Sequence, residues 1–240
     1  MSHDQDLTSA YELIYVLAAG KDYEQEARDI AALIRERQPA ADSLLDVACG
    51  TGLHLSFLRT MFGHVEGLEM SDPMLQAATT LLDGITVHAA DMRDFHLGRT
   101  FGAVTCLFSS IGYAQSVGEL NQTLGCLAAH LEPGGVLILE PWFTPDQWTP
   151  GAVHHGLAGD GDRRVSRMCY SQRSGTTSTM TMHYLLGETG AGIRHWTEEH
   201  TMTLFTEGQY RDAVRQAGFG DPEHLPGWRD ERPRIAAVKK

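Results

Sequence analysis

The sequence predicts an α/β protein: a doubly wound parallel sheet that carries an inserted antiparallel sheet. Short apolar strands alternate with amphipathic helices through the first 145 residues, the pattern of a parallel sheet with helices on both faces. The first of these strands runs directly into a glycine turn, CGTG at 49–52. Beyond residue 150 the chain is rich in Thr, Ser, Tyr and His and alternates with period two, which is typical of antiparallel strands.

The parallel sheet is predicted from five apolar runs. They are SLLDVA from residue 43, HVEGLEM from 64, ITVHAADM from 85, FGAVTCLFSSI from 101 and VLILEPWF from 136. The fourth run is apolar throughout, which predicts a central strand because a buried parallel strand meets apolar neighbours on both faces. In such sheets ligands bind at the carboxyl ends of the strands.

Helices are predicted between these strands from apolar periodicity and from capping residues. The segments are EQEARDIAALIRERQ at 24–38, LHLSFLRTMF at 53–62, SDPMLQAATTLL at 71–82, VGELNQTLGCLAAHL at 117–131 and FTEGQYRDAVRQAGFG at 205–220. Ser71 and Thr206 are the predicted N-caps of the third and the last helix, and Pro73 fits a first helical turn.

The remaining segments predict three antiparallel strands, at about 164–171, 177–186 and 193–205, and a last strand, RIAAVK, near the C-terminus. The domain organisation expected from this order is a core of 1–145 and 201–240. Residues 146–200 are expected to form an antiparallel insertion between these two parts.

Composition limits the function classes. The 240 residues carry 31 Asp and Glu against 19 Lys and Arg, a formal charge of -12, which argues against nucleic-acid binding because such binding relies on cationic groups. The chain has no apolar run of about 18 residues, so no transmembrane helix is expected, and its first residues do not resemble a signal peptide. Four cysteines without a CxxC pair predict neither zinc binding nor disulfides, and a cytoplasmic location is the expectation.

The chemistry-bearing motif is DVACGTG at 46–52, followed by Glu69 and Asp91 at the ends of the next two predicted strands. Gly50 and Gly52 allow a tight turn and a close approach of the backbone to a ligand. An acid at the position of Glu69 binds ribose hydroxyls in nucleotide-binding sheets. Asp91 can accept a hydrogen bond from an exocyclic amine, and Met92 can cover an adenine ring.

A dinucleotide site would require a third glycine, and that position is Leu55. A ligand with adenine and ribose but no phosphate therefore fits better, and the predicted cofactor is S-adenosyl-L-methionine, with S-adenosyl-L-homocysteine as its product. No metal is predicted, because the spacings of His183, His195 and His200 on separate strands do not indicate a ligand set.

The segments LLDVACGTGLHL, GLEMS, ADMRDFHLGR, FSSIGY, HLEPGGV and EPWF resemble the dTDP-aminosugar N,N-dimethyltransferases of macrolide antibiotic pathways, the desosamine and mycaminose enzymes. The resemblance runs from about Tyr11 to about Gly218. Its glycine loop is generic to class I methyltransferases, whereas FSSIGY, EPWF and RHW are far more specific. It implies a class I methyltransferase (Rossmann-like) fold with an antiparallel sheet over the active site, and two successive methylations of a 3- or 4-amino group on a nucleotide-linked deoxysugar.

The resemblance also implies site residues. Those implied to bind the cofactor, with Gly52 from the glycine loop, are Tyr11, Tyr23, Ala48, Gly50, Gly52, Glu69, Met70, Asp91, Met92 and Leu107. Those implied to face the substrate are Tyr15, Ser110, Tyr113, Glu140, Trp142, Arg167, His183, His195 and Arg232. Tyr113 and Tyr11 are the candidate catalytic residues, although relatives carry Tyr or His at position 113. The stretch GWRDERPR at 227–234 departs from a glycine-rich family segment, which leaves the nucleotide carrier open.

The expected function is methylation of the amino group of a small-molecule aminosugar, expected to be dTDP-linked, without nucleic-acid or membrane partners. The oligomeric state is left open between a monomer and a homodimer. One alternative is an N- or O-methyltransferase of another small natural-product intermediate, such as an aminosugar already attached to its aglycone. A second is a non-catalytic protein that binds S-adenosylmethionine as a regulator.

Overall fold

The computed structural model describes residues 13–18, 20–228 and 232–240. The chain forms two compact units. The larger unit comprises Tyr23–Pro145 with Thr203–Lys240, and the smaller comprises Met1–Asp22 with Asp146–Met202. The predicted core of 1–145 differs from this division, because the described residues that precede Tyr23 belong with the antiparallel strands. Leu13 and Ile14 explain the difference, since both are buried in one cluster with Val165, Tyr184 and Trp196.

The larger unit is built on a seven-stranded sheet. Its strands are β1 (Ser43–Val47), β2 (His64–Glu69), β3 (Val87–Ala89), β4 (Phe101–Cys106), β5 (Leu131–Leu139), β10 (Glu223–Leu225) and β11 (Arg234–Val238), in the order β10-β11-β5-β4-β1-β2-β3. The five strands from β1 to β5 pair in parallel, whereas β11 pairs antiparallel with β5 and β10. The prediction that β4 is central is confirmed, and β10 was not predicted.

Helices pack on this sheet in two buried clusters. The first three, α1 (Tyr23–Arg37), α2 (Leu53–Leu58) and α3 (Asp72–Leu81), contribute to one cluster. The other two, α4 (Val117–Ala129) and α5 (Glu207–Gln216), contribute to the second. Thr206 caps α5 as predicted, in a capping box with Gln209. Ser71 precedes α3 as predicted, but its side chain makes no capping hydrogen bond.

The smaller unit contains a four-stranded antiparallel sheet whose strands lie side by side in chain order. Its strands are β6 (Val153–Asp160), β7 (Arg163–Ser174), β8 (Thr177–Glu188) and β9 (Gly192–Thr203). The three predicted strands correspond to β7, β8 and β9. The fourth strand, β6, was not predicted, because VHHGLAGD at 153–160 carries two glycines and two histidines and has little of the character of a strand. As an edge strand, β6 pairs with β7 through its backbone, so its pairing does not depend on apolar side chains. The π-helix Leu13–Ala18 belongs to the same unit.

Among the residues that the structure describes, no helix combines the length and the apolar character needed to cross a bilayer.

Candidate active site

The glycine loop follows the carboxyl end of β1 and connects it to α2. Three of its residues adopt left-handed backbone conformations, Ala48 at φ 57°, Gly50 at φ 60° and Gly52 at φ 82°. A Cβ on Gly52 would lie 2.6 Å from a methyl carbon of Leu82, so both the conformation and the packing require glycine there. A Cβ on Gly50 would meet no atom within 4 Å. The backbone at Gly50 is therefore open on one side, where a ligand can approach it closely.

Glu69 ends β2 and connects that strand to the glycine loop. Its Oε2 accepts a hydrogen bond from the Gly50 backbone N–H at 2.9 Å, and its Oε1 accepts from the N–H groups of Met70 and Ser71 at 2.9 and 2.7 Å. The side chain is buried, while the neighbouring Met70 is 62% exposed. The structure thus places an acceptor-only carboxylate directly beside the open backbone of Gly50.

Asp91 follows β3 and lies two residues beyond the end of that strand at Ala89. Sequence reasoning placed Asp91 within the strand. The structure instead puts it in a tight turn, which an isolated bridge with Asp94 closes. Since the Ala90 N–H donates to the Glu69 backbone carbonyl at 3.2 Å, this turn lies beside the end of β2. The carboxylates of Glu69 and Asp91 are therefore carried by adjoining strand ends.

The Asp91 carboxylate is fixed by Arg93, a residue that sequence reasoning missed. The Arg93 Nε and Nη2 atoms donate to it at distances between 2.6 and 3.1 Å, and the Arg93 backbone N–H adds a contact of 2.9 Å. These hydrogen bonds lower the pKa of Asp91. Arg93 is part of the segment ADMRDF, but its partner Glu119 lies on α4, so no local signal identified the contact.

Three residues predicted to bind the cofactor lie mostly beneath the surface. Met92, Leu107 and Tyr23 are 8%, 3% and 8% exposed. Met92 belongs to the core cluster that includes residues of α4, and Leu107 to the cluster on the other side of the sheet. Their role as lining residues stays a prediction. Tyr11 lies outside the described residues.

A buried pair connects the start of α1 to α2, directly after the glycine loop. His54 Nε2 lies 2.9 Å from Glu26 Oε2, and both side chains are less than 10% exposed. The edge of the Tyr23 ring contacts the His54 ring, with centroids 4.7 Å apart. Sequence reasoning named neither His54 nor Glu26. The pair fixes the orientation of the first turn of α2, and therefore of the loop that precedes it.

A second group of predicted residues lies at the carboxyl ends of β4 and β5. Phe108 and Ser109 after β4 both adopt left-handed conformations, at φ 51° and 64°. A conformation of this kind costs about 1–3 kcal/mol at a non-glycine residue. The 3₁₀ helix Ser110–Tyr113 follows directly and leaves Tyr113 42% exposed. The strained pair therefore sets the direction in which Tyr113 leaves the sheet.

Three contacts hold this strained segment. Glu140, which follows β5, accepts a hydrogen bond from the Phe108 backbone N–H at 2.7 Å. The Ser109 hydroxyl donates to the Pro141 carbonyl at 2.8 Å and accepts from Arg232 Nη1 at 2.7 Å. Glu140 is only 8% exposed. The sequence suggested a substrate contact for Glu140, and the structure gives it a definite partner within the chain.

Arg232 packs against the two aromatic residues that follow Pro141. Its guanidinium carbon is 5.4 Å from the centre of the Trp142 ring and 4.8 Å from that of Phe143. Contacts of this kind hold a guanidinium against the faces of aromatic rings. Residues 229–231 of the predicted nucleotide-contacting stretch lie outside the described residues.

The predicted substrate residues of the smaller unit do not form one cluster. Arg167 faces Tyr184 across the strand pair β7–β8, whereas His183 faces Met168. Neighbouring residues on a strand point to opposite faces, so Arg167 and His183 lie on opposite faces of the sheet. Arg167 Nη1 donates to the Tyr15 hydroxyl at 2.8 Å, and burial raises the pKa of Tyr15. The structure thus places Arg167 in a contact within its own unit.

His183 and His195 do lie together, on the exposed face. Their rings stack with centroids 5.5 Å apart and planes 5° from parallel. The Thr197 hydroxyl lies 3.2 Å from His183 Nδ1. Within the described part of the chain, no group of three or more His, Cys, Asp or Glu side chains has the arrangement of a metal site.

The larger unit has the chemistry of an adenosine site. Two carboxylates on adjoining strand ends can accept hydrogen bonds from hydroxyl and amino groups, and they flank the open backbone at Gly50. Leu55, at the position of a third glycine, is fully buried in the core. A glycine-based pyrophosphate loop is therefore absent from the stretch Gly50–Leu55, and S-adenosylmethionine, which has no phosphate, fits these residues.

Comparison with known proteins places the chain among methyltransferases. A sequence profile described as a methyltransferase domain matches residues 44–135. The chain is 46% identical over 222 residues to a dTDP-3-amino-3,6-dideoxy-alpha-D-glucopyranose N,N-dimethyltransferase of Streptomyces fradiae, covering 92% of this chain and 86% of the relative. It is 41% identical over 237 residues to a dTDP-4-amino-2,3,4,6-tetradeoxy-D-glucose N,N-dimethyltransferase of Saccharopolyspora spinosa, covering 99% of this chain and 94% of the relative.

Solved structures agree with these relatives. The crystal structure of Streptomyces venezuelae DesVI superimposes with a TM-score of 0.94 at 42% identity, covering 98% of this chain and 99% of that one. The S-adenosylmethionine-bound structure of CalS10, an amino pentose methyltransferase from Micromonospora echinaspora, superimposes with a TM-score of 0.85 at 41% identity, covering 92% and 93% of the two chains. The predicted class I methyltransferase fold, with its separate antiparallel sheet, is confirmed.

Proposed function

Because the chain belongs to the family of S-adenosylmethionine-dependent dTDP-aminosugar N,N-dimethyltransferases, we propose that it methylates the amino group of a dTDP-linked deoxyaminosugar twice in succession. The observation that carries this proposal is the juxtaposition of two groups on one sheet. The carboxylates proposed for the cofactor lie at the carboxyl ends of β2 and β3, and a group of polar and aromatic residues follows β4 and β5.

The cofactor brings a methyl group that its sulfonium activates for in-line transfer to an amine. The task left to the chain is to hold the amine neutral and correctly oriented, since positioning supplies a large part of such rate enhancements. We assign orientation of the amine to Tyr113; its exposure, and the fixing of its segment by Glu140 and Ser109, support this role. The acceptor nitrogen can release its proton to water, so a dedicated strong base is not required.

Arg232 is the proposed contact for the diphosphate of the sugar nucleotide. Its guanidinium is held by the Ser109 hydroxyl and by two aromatic rings, and a planar guanidinium can bind phosphate through two parallel hydrogen bonds. The larger unit contains three other proposed substrate residues, which also lie at the carboxyl ends of β4 and β5: Ser110, Glu140 and Trp142. Covering of the acceptor by the antiparallel sheet stays a proposal. Of the residues expected to contact the acceptor, Arg167 and its partner Tyr15 lie on one side of that sheet and His183 and His195 on the other, so only one of these two pairs can take part.

Competition with thymidine diphosphate tests the nucleotide-linked acceptor. Thymidine diphosphate is expected to inhibit methyl transfer in competition with the aminosugar, and Arg232→Ala is expected to weaken this inhibition. A protein that shows no affinity for thymidine diphosphate, yet methylates an aminosugar already attached to its aglycone, would favour the alternative substrate. Turnover with any amine would exclude a purely regulatory role.

Tyr113→Phe distinguishes orientation from base catalysis. Removal of the hydroxyl is expected to lower kcat less than about tenfold, because the ring and the segment that carries it are retained. A general base contributes about 10²- to 10⁴-fold. Steady-state kinetics with saturating cofactor measure the effect, and a loss near 10⁴-fold would identify Tyr113 as the base instead.

The exposed face of the smaller unit supports a homodimer. Six of its large apolar side chains are between 45% and 77% exposed: Val153, Leu157, Met168, Tyr170, Leu185 and Ile193. These side chains lie on one face of the sheet. The pairing of β6, β7 and β8 and the two-residue alternation along each strand show this for the first three strands, and the stacked histidine pair relates β9 to β8. An exposed face with this many large apolar side chains is typical of an interface, and we propose a second copy of the chain as its partner.

Leu157→Glu tests this interface. In a two-fold interface each substitution occurs twice, so two carboxylates would be buried in the interface and the dimer is expected to dissociate. Leu81→Glu is the matched control, because Leu81 is 43% exposed on α3 of the larger unit. Sedimentation equilibrium measures the mass. A wild-type protein that is monomeric at all concentrations would contradict the proposal.

The four cysteines are free thiols, which supports the proposed cytoplasmic location, where thiols are kept reduced.

A further inference from the structure

The contact between Asp91 and Arg93 is denser than one ion pair requires. Arg93 Nε lies 3.0 Å from Oδ1 and 3.1 Å from Oδ2 of Asp91, Nη2 lies 2.6 Å from Oδ2, and the Arg93 backbone N–H lies 2.9 Å from Oδ1. The two side chains are about one-third exposed, at 30% and 31%. A forked contact reinforced by the backbone fixes the plane of the carboxylate as well as its position.

Arg93 is in turn held by α4. Its Nη1 donates to Glu119 Oε2 at 3.0 Å, and the same oxygen accepts from the Gln115 backbone N–H at 3.0 Å. Glu119 lies in the first turn of α4, where Ser116 caps the helix by accepting from the Glu119 N–H. The Cys126 thiol, further along α4, approaches the Arg93 carbonyl at 3.2 Å. Both the side chain and the backbone of Arg93 are therefore fixed to the same helix.

The fork leaves a defined part of the Asp91 carboxylate unused. A carboxylate has about four acceptor directions, two on each oxygen. Three N–H groups of Arg93 use these directions: Nη2 donates to Oδ2, the backbone N–H donates to Oδ1, and Nε is shared between the two oxygens. Three donors on about four directions leave the carboxylate, within the described part of the chain, able to accept from one further N–H donor. An ionised carboxylate has no proton to donate, so a carbonyl oxygen at that point would be repelled.

We propose that Arg93 is a positioning residue that makes the site selective for an aminopurine cofactor over an oxopurine one. It does so by presenting a single acceptor direction of Asp91 to the exocyclic amine. The proposal rests on S-adenosylmethionine as the cofactor. It assigns Arg93 no contact with the cofactor, because its guanidinium donors are directed to Asp91 and Glu119. The lowered pKa of Asp91 supports it, since the carboxyl stays an acceptor across the neutral range.

Calorimetric titration with two product analogues tests the proposal without relying on turnover. S-adenosylhomocysteine carries an amine where S-inosylhomocysteine carries a carbonyl oxygen. The wild-type protein is expected to bind the adenosyl compound at least about tenfold more tightly, the scale of a hydrogen bond to a charged acceptor. Arg93→Gln, which loses the fork, is expected to reduce that ratio several-fold. Asp91→Asn is expected to abolish it, because an amide can present either a donor or an acceptor.

Arg93→Lys keeps the charge but has no fork, and it covers the case in which Arg93→Gln does not fold. It is also expected to reduce the selectivity ratio. Arg59→Gln is the matched control, since Arg59 is exposed and its side chain, among the described residues, donates to the Asp83 carbonyl. Its ratio is expected to equal that of the wild type. Thermal melting of each variant measures the stability separately.

The selectivity ratio decides between positioning and a merely structural role. If Arg93→Gln and Arg93→Lys weaken both analogues equally and leave the ratio unchanged, the proposal is overturned while the cofactor assignment stands. A wild-type protein that binds both analogues with equal affinity overturns it as well. Binding of neither analogue would overturn the assignment of the cofactor together with the proposal.

Discussion

Replacement of Glu69 with alanine is expected to raise the Kd for S-adenosylhomocysteine about 10- to 150-fold. Hydrogen bonds to a charged acceptor contribute about 1.5–3 kcal/mol. The variant loses the acceptor proposed for the ribose hydroxyls and also leaves the N–H groups of Gly50, Met70 and Ser71 without their carboxylate partner. Isothermal titration calorimetry measures the change in Kd, and thermal melting measures the accompanying loss of stability.

Glu66→Gln is the matched control for this prediction. Glu66 lies on the same strand, is 4% exposed and binds His64, His88 and Arg99. It does not contact the glycine loop, so its replacement is expected to lower the stability while the Kd stays near the wild-type value. An unchanged Kd in Glu69→Ala would remove Glu69 from the cofactor site.

Replacement of Glu140 with alanine is expected to lower kcat about 100-fold while the Kd of S-adenosylhomocysteine changes little. The carboxylate holds the Phe108 N–H at 2.7 Å, and the left-handed pair Phe108–Ser109 carries the helix that presents Tyr113. Without that contact the strained pair can relax, and a misplacement of about 1 Å can cost about 100-fold in rate. Single-turnover kinetics with preformed cofactor complex measure the effect.

Glu140→Gln distinguishes two roles for Glu140: holding the Phe108 segment in position, and acting through its charge on the acceptor amine. The amide keeps an acceptor oxygen for Phe108, so recovery of most of the rate would assign Glu140 to positioning. A variant as slow as Glu140→Ala would instead show that the charge of the carboxylate acts on the acceptor amine. Wild-type turnover in Glu140→Ala would contradict both roles.

The cofactor side of the site could be predicted from sequence because its signals are local. The glycine loop follows a short apolar strand directly, and Glu69 ends the next one. The buried run of β4 also predicted its central place in the sheet. Asp91 was identified, but Arg93 was not, because its significance depends on Glu119, which is 26 residues away on another element.

On the acceptor side of the site, backbone conformation and strand register could not be predicted from sequence patterns. Phe108 and Ser109 adopt conformations that usually indicate glycine, so the segment FSSIGY contains no sign of its own geometry. Arg167 and His183 lie on opposite faces of the sheet because of the register of the β7–β8 hairpin, in which Ser174 pairs with Thr177 across a two-residue turn. A shift of one residue would have put the two side chains on the same face. The register of the strand pair therefore decides which predicted substrate residues can act together. The amino-acid composition of the strands does not determine that register.

The most direct measurement incubates the protein with S-adenosylmethionine and three acceptors, and reads the products by mass spectrometry. The acceptors are a dTDP-3-aminosugar, a dTDP-4-aminosugar and a finished natural product that carries an attached aminosugar. The expected result is a gain of one and then two methyl groups on a dTDP-linked sugar, and no gain on the attached one. Methylation confined to the attached aminosugar, or to oxygen, would contradict the proposed function.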